Sequence, residues 1–316
     1  LTQIKIYSGA KMSRFIQAVI FLSLYLPSLA IAHNKALEPC GTVVKSIKLQ
    51  RDCFAPMVIG ADNITVDLNG HTIQNVPPDG DQSRAGVEIM NRRGVTVKNG
   101  TIVGPRNGLF VYYGSEHTFK NLKVRAEGEW VTPQDKWATA VSIQEVDHIV
   151  LKRISTTPGL TLPVFIFIGA KSKISQVKSR GSYIFGDDLI IFDNKLDGGL
   201  VGAQTSCGLS LSGNRNVLWN NKLTCPSTNR LFGGLCVEGS DNLIKHNLIS
   251  GTATGLDLAY TANNNLIRNN KITSNPGTVP DALDIRCGDN ACSNTWRNNK
   301  FKTDSEGDGS AAGCIR

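Results

Sequence analysis

Helical spacing is missing from the long central stretch of this chain. Between Gly186 and Phe301 the apolar residues do not recur every ~3.6 positions, which argues against a helical bundle. Ligand clusters are missing too. Its eight cysteines contain no CxxC pair and no Cys/His group at ligand spacing, which removes a zinc module. Beyond residue 32 no segment is long or apolar enough to span a bilayer, so the mature chain has no expected transmembrane segment. The sequence shows no basic run of the kind that marks nucleic-acid binders, and nucleic acid is not an expected partner. Aromatic residues are few, at 7 % of the chain, and the apolar fraction is ordinary.

What is present is a repeat. Gly186–Leu196, Gly213–Leu223, Gly239–Ile249, Ala262–Ile272 and Ala291–Phe301 vary one phrase: an apolar pair, two polar residues, Asn, one further residue, an apolar residue. The anchor asparagines are Asn194, Asn221, Asn247, Asn270 and Asn299, so the period is roughly two dozen residues, which lies in the solenoid range. A unit this short cannot bury its apolar side chains alone. Stacked on its neighbours it can, as short strands meeting at an Asn-rich corner. Earlier coils read Gly60–Ile73, Gly86–Val103 and Gly108–Val124, with Asn69, Asn99 and Asn121 at the same corner. Ala140–Ser155 and Val164–Ser179 are weaker coils in which the ladder lapses. Arg125–Thr139 is a polar excursion carrying Trp130 and Trp137, expected either to wall a cleft or to pack back on the body.

Residues 1–32 read as upstream sequence followed by a cleavable leader: Met12, Arg14, the apolar run Phe15–Leu29, then Ala30-Ile31-Ala32. Residues 33–59 read as an N-terminal cap, 60–303 as the solenoid and 304–316 as a closing tail. Export, periplasmic or secreted, makes disulfides the reading of the cysteines. Cys40–Cys53 is the expected clip at one end. Cys314 is expected to tie back to Cys292 or Cys287, and the pairing of Cys207, Cys225 and Cys236 stays open. Net charge is +8, about +5 once Lys5, Lys11 and Arg14 are removed (8 − 3), which suits an acidic polymer weakly.

The phrases ADNITVDLNGHTI and GVTVKNGTIVG, and NTWRNNKF followed by a late Cys, resemble the right-handed parallel β-helix repeat proteins of the pectin-lyase-like superfamily, over roughly Gly60–Ile315. The resemblance implies an all-β, single-stranded right-handed parallel β-helix of about ten coils, and the stacked asparagines are then a structural amide ladder. It chooses no activity, because the superfamily holds lyases, hydrolases, epimerases, tailspikes, adhesins and accessory proteins. Gly186-Asp187-Asp188 resembles a piece of the polygalacturonase signature. Its companions Asn-Thr-Asp, Gly-His-Gly and Arg-Ile-Lys are absent, so it reads as a turn pair in register with the repeat.

Alternation assigns faces on the second strand of each coil. Leu209/Leu211, Leu235/Val237, Leu256/Leu258 and Leu283/Ile285 are expected to point inward. Two outward columns then read Ser210, Cys236, Asp257, Asp284 and Ser212, Glu238, Ala259, Arg286, so that Glu238, Asp257, Asp284 and Arg286 form the candidate catalytic set. Asp257 and Asp284 one coil apart could hold Ca²⁺, the candidate cofactor, or act as a carboxylate pair in glycoside hydrolysis. A lyase would take its proton with Arg286, a role that only the resemblance supplies. The bland alternative is an exposed polar face in which Arg286 neutralises its neighbours. On the earlier coils Phe110 and Tyr112, with Trp130 and Trp137, are candidate substrate-binding residues that would stack on sugars. The expected function is binding of a polysaccharide, extended by lyase or hydrolase chemistry on an acidic glycan. The alternative is a non-catalytic structural or accessory β-helix.

Overall fold

A computed structural model describes residues 40–75, 85–127, 139–157, 165–201, 204–225, 233–251, 254–274, 281–284, 293–305 and 315. The leader, Trp130, Trp137, Arg286, Cys287, Cys292 and Cys314 lie outside these residues. Among the described residues no helix is long and apolar enough to cross a membrane.

The chain is a parallel β-helix, wound in the right-handed sense that parallel crossovers take. Each turn lays down strands on three faces. Face I is a sheet of twelve strands, from Thr42–Val43 through Val87–Arg93, Asn107–Ser115 and Leu256–Leu258 to Asp304–Ser305, every neighbour parallel. Pairing therefore begins at Thr42, inside the segment expected to be a cap, and runs past residue 303 into the expected tail. Faces II and III form the second sheet. In the early coils one long strand, such as Thr118–Ala126, serves both faces. In the later coils it divides into short pairs such as Leu266–Arg268 and Lys271–Thr273.

A single left-handed residue makes the corner between faces II and III. Asn99, Asn121, Arg153, Asp193, Asn220, His246 and Asn269 all have φ between 53° and 62°. Asn tolerates this region because its short polar side chain bonds locally, which is why Asn is frequent there. The structure corrects one detail of the repeat. Asn69, Asn99 and Asn121 occupy this left-handed column, whereas Asn194, Asn221, Asn247, Asn270 and Asn299 stand one residue later, turned inward. Their counterparts in the early coils are Leu122, Ile154 and Val177.

The inward asparagines form a continuous ladder. Nδ2 of Asn194, Asn221, Asn247 and Asn270 donates to Oδ1 of the next Asn at 3.0 Å, and also to a backbone carbonyl of the preceding turn. At the corner between faces I and II runs a second ladder that the phrase concealed. Oδ1 of Asn216, Asn242, Asn265 and Asn294 accepts from the main-chain N–H of the preceding turn, at Leu189, Asn216, Asn242 and Asn265. Ser172 and His117 do the same work higher up, accepting from Ile149 N–H and Val95 N–H. Stacked glycines turn the chain out of face I. Gly213 has φ 139°, and a Cβ there would collide with the Gly186 carbonyl.

Between the faces lies one apolar core. Leu209, Leu211, Leu235, Val237, Leu256 and Leu258 are fully buried, as alternation required. Two disulfides clip successive turns, Cys40–Cys53 as expected and Cys207–Cys236, with Cα atoms 5.5 and 6.1 Å apart. Such bonds persist in oxidising compartments, in agreement with the expected export.

Candidate functional site

The outer surface of face I is read as columns, because parallel strands hold register partners about 4.8 Å apart. The first column is Glu88, Phe110, Ser142, Ile166, Tyr183, Ser210, Cys236 and Asp257. Its seven steps span about 34 Å. The second is Met90, Tyr112, Gln144, Ile168, Phe185, Ser212 and Glu238.

Two flat aromatic pairs stand on this surface. Phe110 and Tyr112 lie with ring centroids 6.1 Å apart and planes 16° apart. Tyr183 and Phe185 lie 6.3 Å and 4° apart, with Phe185 39 % exposed. The second pair is not among the sequence candidates, although the alternation in Ser182–Phe185 carried the signal. Three strand steps, about 14 Å, separate the pairs.

Beside Phe110 the surface opens into a cavity of about 360 Å³, lined by Ala85, Glu88, Arg106, Asn107, Phe110, Thr139, Ser142, Gln144 and Ile166. That volume is in the range of small-ligand sites. Gln144 Nε2 donates to Ser142 Oγ at 2.9 Å, so two polar groups are held in place on its floor.

The acidic set at the other end is not assembled as expected. Asp257 is in register with Cys236 on one side and Leu283 on the other, and Asp284 is in register with Leu258. The one-residue difference comes from Asp281. Its carboxylate is 4 % exposed and accepts from Ser274, from Lys302 N at 2.6 Å and from Thr303 N, while its carbonyl accepts from Leu256 N. Burial alone would raise the Asp281 pKa, but the hydrogen bonds from Lys302 and Ser274 hold it below the usual range. That anchor seats Ala282 opposite Leu256 in the core, and the slip of one residue brings Leu283, expected to point inward, into register with Asp257. Asp284 is thus out of the Asp257 column, and Arg286 lies outside the described residues. Glu238 is exposed two strand positions from Cys236.

Asp257 itself is unusual. Its Oδ1 is buried with no hydrogen-bond partner, and burial pushes its pKa up. The Cys207–Cys236 bridge on the neighbouring strand is the residue pair that stands beside it. Calcium needs six to eight oxygen ligands. Among the described residues no three His, Cys, Asp or Glu side chains gather as a metal site, and Asp257 and Asp284, the expected ligands, are not in register with each other. Asp187 and Asp188 are turn residues clamped by Arg215, whose Nε donates to Asp188 Oδ1 at 2.8 Å and whose Nη2 donates to Asp187 Oδ2 at 3.3 Å.

No family model matches the chain, and no curated protein does. Solved structures do resemble it. The Dettilon tailspike protein superposes with a TM-score of 0.51 at 12 % identity, over 82 % of this chain and 51 % of that one. The likeness is one of fold. The chain spans about half the length of that tailspike. The A-module of a mannuronan C-5 epimerase from Azotobacter vinelandii gives a TM-score of 0.44 at 11 % identity, over 86 % and 85 % of the two chains. A surface adhesin of Streptococcus pneumoniae gives 0.39 at 11 %, over 68 % and 61 %.

Proposed function

We propose that face I binds a polysaccharide lying along the solenoid axis. The observation that carries this is the placement of two outward aromatic pairs, Phe110/Tyr112 and Tyr183/Phe185, on one flat sheet beside a polar-floored cavity. Exposed apolar patches on a folded surface mark contact sites. Aromatic rings separated by a few strand steps suit an extended chain of sugar rings, each with an apolar face and a polar rim. Ser142 and Gln144 between the platforms, and Glu88 one strand beyond Phe110, offer polar groups to sugar hydroxyls. The tailspike, epimerase and adhesin folds agree with a surface of this kind.

The test is a panel of neutral and acidic polysaccharides in affinity electrophoresis and titration calorimetry. Phe110→Ala and Phe185→Ala should each weaken binding of the recognised polymer by about 5- to 10-fold, the worth of one aromatic contact. Unchanged affinity in both variants refutes the reading.

A second reading, cleavage of the bound glycan, has one observation behind it. Asp257 is a carboxyl group whose pKa burial pushes up and whose Oδ1 has no hydrogen-bond partner, the direction a general acid needs. In this reading it protonates the departing glycosidic oxygen as the C–O bond breaks, and a solvent water adds to the anomeric carbon. New reducing ends in the same panel, abolished by Asp257→Asn, support it. No cleavage of any polymer, with binding intact, leaves the chain a binding protein.

A further inference from the structure

The register that stacks the core also stacks charge. Down face III the outward position that follows the inward Asn reads Lys195, Lys222, Leu248, Lys271 and Lys300, with Lys178 above them. Across the corner on face II, the last outward residue of the final three turns is Lys245, Arg268 and Arg297. Arg268 and Lys271, or Arg297 and Lys300, are therefore separated only by a left-handed corner Asn and a ladder Asn. Corner residues Asn220, His246, Asn269 and Asn298 add no acid between the two columns; at the corner of the Lys195 turn stands Asp193, whose Oδ1 accepts from Asn220 Nδ2 at 2.6 Å.

Little compensates this charge. Of these cations, among the described residues, only Lys195 has a carboxylate within ion-pair distance, Asp197 at 3.7 Å. Arg268 Nε is buried and has no hydrogen-bond partner. Like charges opposite one another destabilise a sheet, so folding gives no reason for this stack.

We propose that the edge between faces II and III is a docking stripe for a linear anionic polysaccharide, laid along the axis with an acidic group meeting each turn. From Lys178 to Lys300 there are five strand steps, about 24 Å, with a cation in every turn except that of Leu248, where Lys245 across the corner supplies it. The stripe is straight and narrow, matched to an extended chain that carries one carboxylate or sulfate per sugar. A DNA duplex is a curved surface with a charge every ~1.7 Å and would meet only part of a straight row. Single strands bind through bases stacked on open ring faces. The aromatic pair here, Phe192 and Trp219, is stacked ring on ring along the column, 5.0 Å and 8° apart, and covers those faces. Export also places the stripe among glycans. This surface is distinct from face I and does not depend on the function proposed there.

The experiment is fluorescence anisotropy of labelled oligogalacturonate at several salt concentrations. Proteins compared are the wild type, K222Q/K271Q/K300Q and its charge-keeping counterpart K222R/K271R/K300R. All three lysines are exposed, so far-UV circular dichroism should report native folding; R297Q/K300Q serves as a smaller second variant. The glutamine triple should bind at least tenfold more weakly. Its slope of log K against log salt should be shallower by about 2, from ~0.7 per lost contact. The arginine protein should bind as wild type. Equal binding by wild type and both glutamine variants overturns the proposal. So does tighter binding of single-stranded DNA of equal charge, or co-sedimentation with phosphatidylserine vesicles in preference to the glycan.

Discussion

Truncating one amide in the middle of the inner ladder, Asn247→Ala, tests whether this fold is held by buried polar groups as well as by its apolar core. Asn247 is 2 % exposed. Its Nδ2 donates to Leu218 O at 3.1 Å and to Asn270 Oδ1 at 3.0 Å, and its Oδ1 accepts from Asn221 N at 2.9 Å and Asn221 Nδ2 at 3.0 Å. Alanine removes all four. Asn270 Oδ1 keeps a donor in the Asn247 main-chain N–H, and the Leu218 carbonyl keeps its place in the parallel ladder with Lys245, but the Asn221 N–H and one side-chain N–H of Asn221 are left buried without partners. At about 1–3 kcal/mol for each stranded group, the loss is about 2–6 kcal/mol. Asn299→Ala, at the partly exposed end of the ladder, lets water replace the lost groups and should cost about 1–2 kcal/mol. Asn269→Gly, at the left-handed corner, should stay within about 0.5 kcal/mol of wild type because glycine accepts that backbone freely. Urea denaturation followed by circular dichroism gives the ranking, and amide exchange at Asn221 gives a local readout. An Asn247→Ala protein no less stable than Asn299→Ala would show that the amides are ornaments on an apolar solenoid.

Two further outcomes follow from buried groups that the repeat did not announce. Replacing Cys207 and Cys236 by serine opens a link with a sequence separation of 29 and should cost about 3.5 kcal/mol by chain entropy, seen as a lower urea midpoint that reductant reproduces in the wild type. His117 is fully buried, accepts at Nδ1 from Val95 N–H, and burial pushes its pKa from 6.5 down to about 4. The unfolded chain then binds more protons between those values. Stability contributed by the neutral ring is present above pH 6.5 and is lost as pH falls towards 4, by about 3 kcal/mol at the limit. His117→Asn keeps an acceptor and removes the titration, so its urea midpoint should vary less with pH over this interval; parallel curves for the two proteins would refute the assignment.

The winding of the chain was legible from the sequence because it rests on short-range signals. Apolar alternation marked Leu209/Leu211 and Leu256/Leu258 as core, and the recurring Asn marked the inner ladder from Asn194 onward. The second ladder was hidden because its members, Asn216, Asn242, Asn265 and Asn294, sit among other asparagines in the same phrase. Its early positions are filled by His117 and Ser172, whose shared task of capping a backbone N–H cannot be seen in residue type. The basic edge was hidden for a similar reason. Its lysines are spaced by whole turns, so no local run of positive charge exists. Cys207–Cys236 was illegible because pairing depends on which turn lies beside which.

The acidic site failed at a particular step. Aligning Leu256-Asp257-Leu258 with Leu283-Asp284-Ile285 is the natural choice when apolar alternation is the only guide. The chain instead takes Ala282 into the core, because doing so lets Asp281 collect hydrogen bonds from Ser274, Lys302 and Thr303. An apolar residue one place along costs a solenoid little when a small side chain such as Ala282 fits the same slot. A buried carboxylate without its donors costs several times more. Register here is therefore decided by the buried polar group with the most partners to satisfy, and the apolar residues accommodate it. The same reasoning takes Asp284 out of the Asp257 column, and with it the carboxylate pair that apolar alternation suggested.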